Sequence, residues 1–297
     1  MTRCSTEIAI SNVLLATDFS AESAQAVDCA KRFCSQQNAK LFVVHVMDVF
    51  PFALSADPAA KTRIAEIRDR AEAQMKEFVR ANDLEQTKID RHLIEGETSA
   101  ALEKFIREHE IDLIILGSRG DAGISRIFEG SMAEELFRTA QCPVMVAGPK
   151  ARLHSNAAMF GRLLFATDLS RFSRSALPHV QWLLEQNPSA KLTMAHFLDS
   201  EADNVLERHQ ARRRLEHQLT EMIDPQLRGQ IEDVVAESCA PPEGMIKLAK
   251  GLDANLLVLG VRSSGAFTRA ATHGFRSIAP RVISEISCPV LTVRGAE

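Results

Sequence analysis

The chain has 297 residues, of which 45% are apolar and 25% charged, enough for one large or two ordinary globular domains with real cores. Its 35 basic and 39 acidic residues leave a formal charge of −4, so no overall field favours nucleic acid or an anionic membrane. No stretch approaches the ~20 apolar residues needed to span a bilayer, and Met1–Ile10 shows no apolar signal core, so a cytoplasmic protein is expected.

In chain order, Ile8–Ala16 reads as a strand, and Ala21–Phe33 as a helix with Ser20 placed to cap it. Lys40–Met47 is a continuous apolar strand. Ala59–Ala81 carries Ile64, Ile67, Ala71, Met75 and Phe78 at helical spacing. Lys88–Ile94 reads as a strand, Ser99–His109 as a helix, and Asp112–Leu116 as a strand. A loop precedes a helix from Met132 to Thr139, and the strand Val144–Ala147 closes the unit. Runs such as LIIL and LFVV lack alternation and predict strands buried on both faces, as in parallel sheets. Strands alternating with helices then give a doubly wound sheet, whose ligands sit beyond the strands' carboxyl ends. Those ends carry Asp18, Val46 and Gly117.

The whole pattern then repeats. Leu14-Leu15-Ala16-Thr17-Asp18-Phe19-Ser20 returns as Leu164-Phe165-Ala166-Thr167-Asp168-Leu169-Ser170. Leu41 to Asp48 returns as Leu192 to Asp199, Asp112 to Gly117 as Asn255 to Gly260, and Cys142 to Val146 as Cys288 to Thr292. The offsets of 150, 151, 143 and 146 residues keep one order, which marks a duplicated domain. The predicted fold is α/β, with two tandem doubly wound, mainly parallel five-stranded sheets. The domains are residues 1–149 and 150–297, joined by a linker at Gly148–Gly161. The shortness of that linker predicts that the copies pack against each other rather than swing freely.

After Leu116 comes Gly117-Ser118-Arg119-Gly120, then nine residues, then Gly130-Ser131. Gly117 and Gly120 remove side chains where a backbone must approach a ligand. Ser131 and Glu134 make a capping-box pattern at a helix start, whose free amides and dipole form an anion site. Read by spacing alone, this remains a glycine-rich turn before a capped helix; its place after the strand beside the one bearing Asp18 favours a phosphate loop.

On these residues the chain resembles the universal stress protein family, in its tandem-domain form, over essentially its whole length. Gly117 to Ser131 matches the Gly-x2-Gly-x9-Gly-(Ser/Thr) pattern of the family's ATP-binding members. Thr17-Asp18 and His45-Val46 match its first and second strand ends. The resemblance implies a Rossmann-like sheet of the adenine nucleotide alpha hydrolase type. It places Asp18 and Val46 on the base, with Ala16 and Leu116 beside it. Gly117, Arg119, Gly120, Gly130, Ser131 and Met132 line ribose and phosphates. The implied ligand is ATP, with or without Mg²⁺, and the implied role is a stress-response binding module. The alternatives are an interaction protein with vestigial pockets or a slow ATPase. An Asp accepting from an exocyclic amine prefers adenine to guanine.

The second copy departs from the pattern. Asp168, His196 and Gly260 persist, but Ser263 replaces the second glycine. Gly260 to Cys288 is three residues longer than Gly117 to Cys142, and Phe275 follows Gly274. It reads as a decayed site with a solvated basic loop. The alternative is an altered anionic pocket built on Asp168, Phe197, Gly260 and Arg262.

Other candidates are weaker. His45 and His196 read as packed, hydrogen-bonded histidines, and His209 and His217 as part of a solvated basic face. Asp48 and Asp199 read as capping residues, and Cys239 as a turn thiol before a helix. The six cysteines form no CxxC pair and read as reduced thiols, and no metal site is expected. No Walker lysine motif, nucleophile elbow or early GxGxxG is present. The resemblance also implies that the two copies pair through Val144–Ala147 and Val290–Val293 as an intramolecular pseudo-dimer, similar to the family's homodimers, and further association into a homodimer is left open by the sequence.

Overall fold

A computed structural model describes residues 8–20, 23–47, 49, 58–86, 88–117, 136, 140–153, 159–198, 205–262, 279 and 281–295. The chain divides into two compact units, Ile10–Pro149 and Lys150–Glu297, the latter joined by Met1–Ala9.

In the first unit the order of elements is β1 (Asn12–Ala16), α1 (Ala24–Gln37), β2 (Lys40–Met47), α2 (Pro58–Ala81), β3 (Ile89–Glu95), α3 (Thr98–Glu108), β4 (Leu113–Gly117) and β5 (Val144–Ala147). All described strand pairs are parallel, in the order β3-β2-β1-β4-β5. The chain builds outward from β1 to β3 on one side and from β4 to β5 on the other. The order therefore reverses between β1 and β4, the point where doubly wound sheets open a crevice. The continuous apolar strands are buried as their patterns require: Val13, Leu14, Leu15, Leu41, Val43 and Leu113 to Ile115 are all fully buried.

The second unit repeats this with β6 (Arg162–Ala166), α4 (Arg171–Arg174), α5 (Leu177–Gln186), β7 (Lys191–Leu198), α6 (Val205–Met222), β8 (Ile231–Ser238), α7 (Pro241–Gly251), β9 (Leu256–Arg262) and β10 (Val290–Gly295). Its order is β10-β9-β6-β7-β8, again parallel, with the reversal between β6 and β9. The duplication extends to single hydrogen bonds. The Asp112 carboxylate accepts from the Ser11 and Asn12 amides at 2.8 and 2.9 Å, pinning the start of β1 beside β4. In the second unit Asn255 Oδ1 accepts from the Arg162 amide at 2.8 Å and pins β6 beside β9.

The differences from expectation lie at element ends. β1 begins at Asn12 rather than Ile8. α1 runs on to Gln37 because Asn38 takes the left-handed conformation (φ 51°) and its amide closes the last turn on the Cys34 carbonyl. Ser20 meets Ser23 through its carbonyl rather than its side chain, and α1 starts at Ala24. α3 is capped by Glu97, whose carboxylate accepts from the Ser99 and Ala100 amides at 3.1 and 2.9 Å. The expected helix over Met132–Thr139 lies outside the described residues except Leu136, which is helical and buried. Among the described residues no helix is long and apolar enough to cross a membrane.

Candidate functional site

Each unit ends its first strand in the same four-residue turn, Thr-Asp-Φ-Ser. In the first, the Thr17 amide donates to the Val44 carbonyl at 3.0 Å, continuing the β1–β2 ladder by one residue. Phe19 then adopts φ 62°. A bulky residue there costs about 1–2 kcal/mol, because Cβ crowds the following carbonyl. Local bonds offset that cost. The Phe19 amide donates to Thr17 Oγ1 at 2.9 Å, and the Ser20 amide donates to Asp18 Oδ1 at 3.0 Å. The Phe19 ring lies against His45, centroids 4.3 Å apart, and meets Phe78 of α2 edge-on at 5.7 Å. Asp18 itself remains exposed.

The second unit reproduces this turn. Leu169 has φ 64°, its amide donates to Thr167 Oγ1 at 3.0 Å, and the Ser170 amide donates to Asp168 Oδ1 at 2.9 Å. The Thr167 hydroxyl donates to Ser173 Oγ at 2.7 Å; its counterpart, Thr17 to Ser23, spans 3.5 Å. Burial works to raise the Asp168 carboxyl, but hydrogen bonds from Ser170 and Ser173 outweigh it, and its pKa lies below the ordinary value of 3.8. The carboxylate is therefore charged at neutral pH.

A histidine holds each turn from the second strand. His45 Nδ1 lies 2.9 Å from the Thr17 carbonyl oxygen, and His196 Nδ1 lies 2.8 Å from that of Thr167. A carbonyl only accepts, so Nδ1 carries the proton in both. The expectation of packed, hydrogen-bonded histidines holds, and the structure adds their target.

Five of the first-unit candidates come together where the strand order reverses. Ala16 is in register with Val44 on one side and Leu116 on the other, so Ala16, Asp18, Val46, Leu116 and Gly117 lie at the carboxyl ends of three adjacent strands. Ala16 and Leu116 are buried, whereas Val46 and Gly117 are part-exposed. Arg119, Gly120, Gly130, Ser131 and Met132 lie outside the described residues, as do Asp48 and Asp199.

The second-unit candidates divide. Asp168 holds the same place as Asp18. Arg262 is the last residue of β9, opposite Gly295. Phe197, which stands where the first unit has Val46, is buried and fills space over α7: a Cβ built on Gly244 would lie 2.4 Å from its ring and 2.8 Å from Cys239 Sγ. Gly260 is spared a side chain for a packing reason. A Cβ there would lie 2.4 Å from both the Phe172 carbonyl oxygen and Ser173 Cα, so the start of α4 rests directly on the strand end.

The described thiols are all buried or part-buried. All five described cysteines are free. Burial pushes the Cys34, Cys142 and Cys288 thiols up to about 12, and raises Cys29 further. On α6, His209 and His217 are exposed, and Arg212 is paired with Glu216 and Asp233, as a solvated face predicts.

Compared with known proteins, the chain matches the model of the universal stress protein family twice, over residues 9–148 and 159–294. The chain belongs to that family. A universal stress protein of Methanocaldococcus jannaschii is 27% identical over 135 residues, which is 45% of this chain and 79% of the relative. One from Thermus aquaticus is 29% identical over 137 residues, 45% of this chain and 96% of the relative. These relatives correspond to one unit each. The crystal structure of a universal stress protein from Archaeoglobus fulgidus covers 98% of both chains with a TM-score of 0.71 at 19% identity, and shows the same fold. The two matches make this a tandem universal stress protein.

Proposed function

We propose that the chain is a stress-response protein of the cytoplasm that holds an adenine nucleotide, ATP with or without Mg²⁺, in its first unit as a regulatory ligand. The observation that carries this reading is the juxtaposition of strand ends at the switch point. There an exposed Asp18, the part-exposed Val46 and Gly117 meet at three strand ends, and the sequence continues from Gly117 into Gly-x2-Gly-x9-Gly-Ser. Asp18 presents a carboxylate, which accepts from an exocyclic amine and repels a carbonyl, so adenine is favoured over guanine. Gly120 and Gly130 allow backbone amides to approach phosphate, with Ser131 at a helix start adding its own donors. The signal in this reading is occupancy rather than turnover. In the second unit the base-reading turn is kept, but Phe197 fills the neighbouring position and the Gly-Ser pair is absent, so the second crevice contributes structure rather than a nucleotide site.

Mass spectrometry of nucleotide released from natively purified, then denatured protein identifies the ligand, and calorimetry with ATP–Mg²⁺ measures it. Gly120→Val and Gly130→Val are expected to abolish ATP binding. Unchanged affinity in both variants contradicts the assignment. A wild-type chain that carries no nucleotide and shows no thermal shift with ATP favours a protein acting through its surfaces alone.

A further inference from the structure

We infer that His45 is a positioning residue for base recognition, which aims Asp18 by locking the left-handed turn that carries it; this rests on the reading of the first unit as the adenine site. Asp18 is the second residue of a turn whose third residue, Phe19, sits at φ 62°. Such a conformation persists only when its surroundings over-determine it. Two contacts from His45 do so. Its Nδ1–H donates to the carbonyl of Thr17, the residue before Asp18, at 2.9 Å, and its ring lies 4.3 Å from that of Phe19, the residue after. The same side chain therefore grips both neighbours of Asp18 and leaves its carboxylate exposed. Thr17 and Asp18 complete the turn from inside by accepting from the Phe19 and Ser20 amides.

The second unit separates this role from that of the phosphate loop. His196 makes the same bond to Thr167 at 2.8 Å, and Leu169 takes the same conformation, although the Gly-Ser pair of the loop is absent there. The histidine thus belongs with the Asp-bearing turn. Its identity also matters beyond packing. Only a donor at the Nδ1 position meets the Thr17 carbonyl, and only a ring covers Phe19, and histidine supplies both.

The test uses the full chain and two substitutions that separate these contacts. His45→Phe keeps a ring and removes the donor; His45→Asn keeps a donor at the Nδ1 position and removes the ring. Dissociation constants for ATP and GTP are measured by calorimetry, with thermal stability followed in parallel. A role confined to stability lowers both affinities together and leaves their ratio alone. Positioning of Asp18 predicts that His45→Phe lowers the ATP-over-GTP preference about tenfold, the worth of one hydrogen bond to a charged group, and that His45→Asn restores most of it. A wild-type ratio in His45→Phe overturns the inference while leaving the nucleotide site standing. A wild-type chain that binds no ATP overturns both. Should His45→Phe fail to fold, nitrogen-15 NMR of the wild-type chain decides: the inference requires the proton of His45 on Nδ1, and a ring with Nδ1 unprotonated overturns it.

Discussion

Gly260→Ala is expected to destabilise the second unit by about 3 kcal/mol. The added Cβ would stand 2.4 Å from the Ser173 Cα and 2.4 Å from the Phe172 carbonyl oxygen. Carbon atoms in contact relax at about 3.5–4.0 Å, so the strand end and the start of α4 must part by about 1 Å. Neither obstructing atom belongs to a side chain that could rotate away. The cost therefore falls at the upper end of the roughly 1–3 kcal/mol seen for overpacked cores. The chain's single tryptophan, Trp182, is buried in α5 of the same unit, so urea unfolding followed by its fluorescence reports this unit alone. For a unit of this size the loss corresponds to a melting temperature lowered by about 6–12 °C. Gly251→Ala is the matched control: a Cβ there meets nothing within 4 Å, and the residue closes α7, so stability is expected to hold or rise by up to about 1 kcal/mol. If Gly260→Ala unfolds at the wild-type urea midpoint without ligand, the glycine is not there for packing.

Three further expectations follow from the same geometry. Gly244→Ala puts a Cβ 2.4 Å from the Phe197 ring and is expected to cost about 1–3 kcal/mol; Phe197→Val should relieve it, so a double-mutant cycle read by Trp182 fluorescence should show a coupling of about 1 kcal/mol or more, and additivity refutes the contact. Thr167→Val leaves the Leu169 amide without its acceptor and takes away the hydrogen that Ser173 Oγ accepts, and is expected to cost about 1–3 kcal/mol in urea unfolding; a neutral result shows the turn does not depend on that hydroxyl. Glu97 is held below its ordinary value of 4.5 by the Ala100 and then the Ser99 amides, so its cap is fully effective above pH 4.5 and is lost as pH falls through the lower folded value. Glu97→Ala should therefore lower stability by about 1 kcal/mol at pH 7 and progressively less below pH 4.5, and a penalty independent of pH contradicts the charged cap.

The sheet was legible in the sequence because its signal is strong and local. LIIL and LFVV lack alternation, as strands buried on both faces do, and the recurring Thr-Asp-Φ-Ser marks the end of the first strand in each unit. Element ends were less legible. The Cys-Ser-Gln-Gln stretch closing α1 lacks apolar periodicity, so only the left-handed Asn38 shows where that helix stops. The left-handed Phe19 and Leu169 run against residue preference and are imposed by contacts from β2, β7 and the turn itself. Gly260 has a packing reason that its place in the sequence does not announce, the backbone of Phe172 and Ser173, distant in sequence. The exchange of Val46 for Phe197, matched by Gly244 on α7, is likewise a paired change that no single position reveals.

The central claim, one adenine nucleotide held by the first unit, is tested most directly by titrating the full chain with ATP–Mg²⁺ in a calorimeter. The account predicts one site per chain, with that heat lost in Asp18→Ala and in Gly130→Val while the circular-dichroism spectrum and melting of the whole chain stay those of the wild type. Two sites per chain, or a single site that survives both substitutions, contradicts it.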